Sequence, residues 1–113
     1  MPAGVELLYW DGCPSHPDAL ADLRAALAEL GRTDVRVTLT EVSTDEQAAD
    51  RGFIGSPTLR IGGVDLMPPP EDEPTGLTCR VYRRRDGRYS PTPDSADLRD
   101  ALRRVLSRPE QDA

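Results

Sequence analysis

Cys13 and His16 stand three residues apart in "WDGCPSHPD", Trp10 to Asp18, with Pro14 directly after the cysteine. A thiolate is a nucleophile and a soft-metal ligand, and imidazole is the side chain that exchanges protons near neutral pH. The stretch therefore admits three chemistries: a one-cysteine nucleophilic site, a metal-ligand pair, or a helix start that only contains a cysteine. His16 is the sole histidine, open to a role as base for Cys13, as metal ligand or as a solvated residue. Ser15 and Asp18 are spaced as a helix-capping pair.

A helix N-terminus after Cys13 would favour its thiolate through unpaired N–H groups. Asp11 and Asp18 oppose that, and Pro14 and Pro17 remove two donors. The second cysteine, Cys79, lies in "LTCRVYRR", Leu77 to Arg84. Strand alternation puts it on one face with Leu77 and Val81, which predicts a buried core thiol. The rival is a resolving or metal-sharing partner for Cys13, which requires Cα atoms within ~7 Å. Arg80, Arg83, Arg84, Arg85 and Arg88 cluster nearby, as a solvated strand edge or as a site for an anionic thiol.

These residues need a scaffold, and 113 residues supply one domain, assigned to 1–107 with 108–113 as a tail. With 37% apolar and 30% charged residues, the chain reads as soluble with a modest core. A net charge of -6 argues against nucleic acid as a partner. All 14 basic residues are arginine, which excludes a P-loop or Schiff-base lysine. No segment has the ~18 apolar residues of a membrane span, and no signal peptide is visible. Those features predict a cytoplasmic protein with reduced thiols.

"VELLYW", Val5 to Trp10, is apolar almost throughout, as in an inner strand covered on both faces. Leu20, Leu23, Leu27 and Leu30 then form one helical stripe, closed by Gly31. Val35 to Val42 alternates as an edge strand, with Val35, Val37 and Leu39 on one side. Ser43 or Thr44 starts a short helix ending at Gly52. Thr58 to Ile61 is a strand that turns at Gly62-Gly63 into "VDL", and Pro68-Pro69-Pro70 with "EDEPTG" is an extended loop. "LTCRVYRR" reads as a further strand, and Leu98, Ala101, Leu102, Val105 and Leu106 mark a last helix. The order is β-α-β-α-β-β-α, predicting an α/β fold with a central four-stranded mixed sheet and helices on both faces.

"LLYWDGCP", "RGFIGSPTLRI", "GLTCRVYR" and "DLRDALRRVL" together resemble small bacterial proteins of the thioredoxin-like superfamily, described as thioredoxin family or alkylmercury-lyase-like. The resemblance runs over nearly the full length. It implies a thioredoxin-like fold, with Cys13 as nucleophile and Pro57 as the cis-proline facing it. It also implies that Ser56, Pro57 and Trp10 contact an extended thiol substrate. His16 stands where the family carries its resolving cysteine, so a dithiol cycle cannot run within this motif.

The resulting expectation is a thiol protein that exchanges disulfides or transfers thiols. Its partner would be a small or protein thiol or disulfide. It would hold no resident cofactor and use an external thiol such as glutathione or mycothiol as co-substrate. Two further expectations stay open: a soft-metal or organomercurial handler using Cys13 and Cys79, and a non-enzymatic interaction module of the same fold.

Overall fold

The computed structural model describes residues 4–68 and 73–106. The tail at 108–113 and most of the triple-proline and acidic stretch (69–72) therefore lie outside the described residues.

Strand β1, Gly4–Tyr9, is the second strand of a four-stranded sheet ordered β2-β1-β3-β4. It runs parallel to β2, Arg36–Glu41, and antiparallel to β3, Thr58–Ile61, which pairs antiparallel with β4, Val64–Asp65. Leu7 and Leu8 point to opposite faces of β1 and both are fully buried. That is why this strand carries adjacent apolar residues and lacks strict alternation, with Glu6 its one charged side chain. At the edge, β2 leaves Leu39 47% exposed, so its expected apolar face is only partly covered. Gly62 and Gly63, at φ 59° and 81°, make the two-residue β3–β4 turn, which requires positive φ at both positions.

One face of the sheet carries α1, His16–Glu29, and α3, Ser95–Leu106. Their Leu23, Leu27, Leu98 and Leu102 pack with Val5, Leu7 and Leu59. The other face carries α2, Asp45–Arg51, where Ala48 and Phe53 cover Leu8 and Val42. The Thr44 hydroxyl accepts the Gln47 N–H at 3.1 Å, and Gly52 closes α2 in the left-handed region at φ 63°. Both ends follow from local residue chemistry. The architecture is mixed α/β with helices on both faces, as expected.

The stretch "LTCRVYRR" departs from expectation. Only Tyr82–Arg83 is strand (β5), paired with Tyr89–Ser90 (β6) in a separate two-stranded ribbon. Its alternation also runs in the opposite phase. Arg80 and Tyr82 point inward, while Cys79 and Val81 are exposed. Arg80 is only 7% exposed, because its guanidinium meets Asp65 Oδ2 at 2.7 Å, the Met67 carbonyl and the face of Tyr82. An arginine whose terminal nitrogens are ion-paired and hydrogen-bonded is buried at tolerable cost, and it sets the phase of the segment. Arg80 thus leaves the solvated arginine cluster in which its spacing had placed it.

Candidate functional site

The turn Trp10–Ser15 leads from the carboxyl end of β1 into α1 and carries Cys13 at its centre. The Cys13 N–H donates to the Trp10 carbonyl at 3.0 Å, which closes the turn. Half-buried Trp10 lies over Gly12, where a Cβ would run into the indole. Any larger residue at Gly12 would have to displace the ring. The helix begins at His16, three residues later than a Cys13 start.

Ser15 occupies the N-cap position, yet its side chain caps nothing. Its hydroxyl lies 3.1 Å from the Cys13 sulfur and is buried with it. The expected Ser15–Asp18 capping pair is thus replaced by a hydroxyl–sulfur contact. The cause is the backbone at Ser15, which is already helical (φ -89°, ψ -7°) rather than in the extended range usual for an N-cap.

The Ser56-Pro57 peptide is cis, as the resemblance implies. It delivers the Ser56 carbonyl to 3.5 Å from the Cys13 sulfur. Cys79 reaches the same place from the other side and is joined to Cys13 by a disulfide, with Cα atoms 5.5 Å apart. This differs from two expectations: Cys79 is no buried core thiol, and neither cysteine is free. It also supplies the second sulfur that the "CPSH" motif lacks. The exposures are reversed as well, for Cys13 is 1% exposed while Cys79 faces outward.

The Cys79 segment is strapped to Ser56 as a single parallel bridge. The Ser56 N–H donates to the Thr78 carbonyl at 2.8 Å, and the Arg80 N–H donates to the Ser56 carbonyl at 2.7 Å. Gly55, at φ 155°, permits this approach, since a Cβ there would meet the Arg80 backbone at 3.0 Å. The Tyr82 hydroxyl donates to the Pro57 carbonyl, and burial pushes the Tyr82 pKa far above the usual phenolic value, so it remains a donor. The backbone N–H and carbonyl of Ser56, a residue that the resemblance places against a substrate, are thus both bonded within the chain itself. The Ser56 hydroxyl is buried with no hydrogen-bond partner among the described residues.

His16 stands beside this centre and faces elsewhere. Its ring stacks on Tyr9 at 4.2 Å, and Nδ1 lies 3.4 Å from the Cys13 backbone carbonyl. No hydrogen bond runs from the imidazole to the sulfur among the described residues. The structure therefore gathers Cys13, Cys79, Ser56 and Pro57, keeps Trp10 as a wall against Gly12, and turns His16 away. No group of three or more His, Cys, Asp or Glu side chains able to hold a metal ion occurs among the described residues. Sequence reading gave Ser15 a capping role and placed Arg80 in a solvated or anion-binding cluster, and it missed Tyr82. The one available signal was that Arg80 and Tyr82 share the strand face opposite Cys79.

No helix among the described residues is long and apolar enough to cross a membrane. Comparison with protein-family models, curated proteins and solved structures gives no match.

Proposed function

We propose that this chain is a thiol–disulfide exchange protein whose working couple is Cys13–Cys79. The observation that carries this reading is the asymmetry of the pair: Cys79 is an exposed residue, whereas Cys13 is buried with its sulfur beside a hydroxyl donor. An incoming thiolate reaches Cys79, and Cys13 departs with its new charge facing the Ser15 hydroxyl. A hydrogen bond to the leaving sulfur lowers the barrier to its departure. In the reverse direction a substrate disulfide is opened by Cys79, and Cys13 resolves the mixed disulfide.

Further support comes from the arrangement around the pair. A parallel β-α-β unit, an antiparallel hairpin and a closing helix on the α1 face, with a cis-proline opposite the cysteine in the turn before α1, suit a thioredoxin-like fold. In this reading Cys79 supplies the second sulfur that is missing at the position of His16, and the resolving role falls to Cys13.

Equilibration against dithiothreitol redox buffers tests the proposal. Exchange proteins lie at about -270 to -120 mV, whereas structural disulfides lie below about -300 mV. The expected midpoint falls in the first range, with turnover of hydroxyethyl disulfide that is lost in Cys79→Ser. A midpoint below about -300 mV without turnover would make the bond a structural cross-link.

A further inference from the structure

The outward side of Cys79 opens onto a cavity of about 860 Å³ whose wall includes Met67, Arg83, Tyr89 and Arg104. Arg83 and Arg104 are exposed, and neither has an ion-pair or hydrogen-bond partner among the described residues. The wall's other arginines are already held. Arg85 binds Asp97 and Asp100 at 2.5 and 2.6 Å, and Arg80 binds Asp65. Glu73 is the one wall carboxylate outside these pairs. In a chain of net charge -6, the space beside Cys79 thus offers two guanidinium groups that have no partner among the described residues.

An extended polypeptide has no comparable foothold. Strand addition needs a free backbone edge, and the edge at Ser56 is filled by Thr78 and Arg80. The filling segment is locked by the buried Arg80–Asp65 pair and by Tyr82 on Pro57. Displacing it would strand a buried charge, which is costly.

We infer that the partner of the Cys13–Cys79 disulfide is a small carboxylate-bearing thiol, which docks in the Cys79 cavity with its carboxylate on Arg83 and Arg104. The inference rests on the exchange reading and adds the substrate class and its binding residues. The thiolate attacks Cys79 Sγ, forming a new S–S bond while the Cys13–Cys79 bond breaks. The bonding electron pair leaves on Cys13 Sγ. A second thiolate attacks the outer sulfur of the mixed disulfide, releasing Cys79 and the oxidised dimer of the small thiol. Two small thiols are oxidised, one protein disulfide is reduced, and their two protons end on Cys13 and Cys79.

Two near-isosteric probes test this on the full oxidised chain: 3-mercaptopropionate, which carries a carboxylate, and 3-mercaptopropanol, which does not. Reduction rates are compared per thiolate at low salt. The carboxylate probe should react faster by about fivefold to tenfold, the advantage that one or two solvent-facing ion pairs confer. In Arg83→Gln/Arg104→Gln the advantage should vanish, while the alcohol rate stays within about twofold. Equal rates for both probes, or an advantage that survives in the double variant, would overturn the carboxylate site and leave disulfide exchange standing. If neither probe opens the bond in the folded protein, exchange and the carboxylate site fail together.

Discussion

At Cys13 the polar side chain that matters is a hydroxyl. Ser15 Oγ touches the sulfur at 3.1 Å, whereas the His16 ring is spent on Tyr9 and on a backbone carbonyl. A hydrogen bond to a charged group contributes about 1.5–3 kcal/mol, so losing it on a departing thiolate is felt directly in rate. Ser15→Ala should slow reduction of the disulfide by mercaptoethanol at least about fivefold. His16→Ala should change that rate less than about twofold, and lower stability by about 1 kcal/mol through the lost ring stack. Stopped-flow reduction and urea melts of the two variants check both halves. A reversed ranking would restore His16 as the assisting group.

Among the elements, α3 is the one whose anchorage can be read against pH. Asp94 sits before its first turn, and its Oδ1 accepts the N–H groups of Ala96 at 2.9 Å and Asp97 at 3.4 Å. The Arg85 N–H, the strongest influence, and these two donors hold the Asp94 carboxyl below its ordinary pKa. Asp100 is held low chiefly by its bond to the Arg85 side chain. Carboxyls depressed in the folded state stabilise it above their unfolded pKa of about 3.9, and that contribution disappears as pH falls through the folded values. Asp22 acts oppositely, since burial raises its pKa and acid relieves it. Three depressed carboxyls, Asp94 and Asp100 at α3 and Asp34 held low by its bond to Arg32, against one raised group predict a net fall in melting temperature below about pH 4. Asp94→Ala should lower the melting temperature by a few degrees at pH 7 and flatten that acid decline, because the capping carboxylate is already gone. An unchanged acid slope in the variant would remove Asp94 from the account.

For the whole molecule, the disulfide closes a loop across 66 residues and ties the ribbon segment to the end of β1. Constraining the unfolded chain over that length contributes about 4 kcal/mol, independently of any redox role. Yet the strap at Ser56 is also held by Arg80 and Tyr82, which survive loss of the sulfur. Cys79→Ala should therefore lose up to about 4 kcal/mol in urea unfolding while keeping its far-ultraviolet circular dichroism. A collapse of native secondary structure in the variant would show that the bond is an obligatory cross-link. An exchange couple needs the opposite, a fold that stands in both oxidation states.

Much of the scaffold is local chemistry and was legible from residues alone. Thr44 and Gly52 delimit α2, Gly62-Gly63 sets the β3–β4 turn, and the run Val5 to Tyr9, apolar except at Glu6, marks a strand covered on two sides. Each depends on conformational preferences or burial patterns that span a few residues. The position of Cys13 at the end of β1, and the cis bond before Pro57, were likewise expected. The chemistry between them was not. The stretch Leu77 to Arg83 has two strand faces, and both look buriable: Leu77, Cys79 and Val81 on one, Arg80 and Tyr82 on the other. Nothing local chooses between them. The choice falls to Asp65, 15 residues away, and to the Pro57 carbonyl, which together draw Arg80 and Tyr82 inward and turn Cys79 onto Cys13. A phase set by partners distant in sequence is decided only when the tertiary structure brings them together.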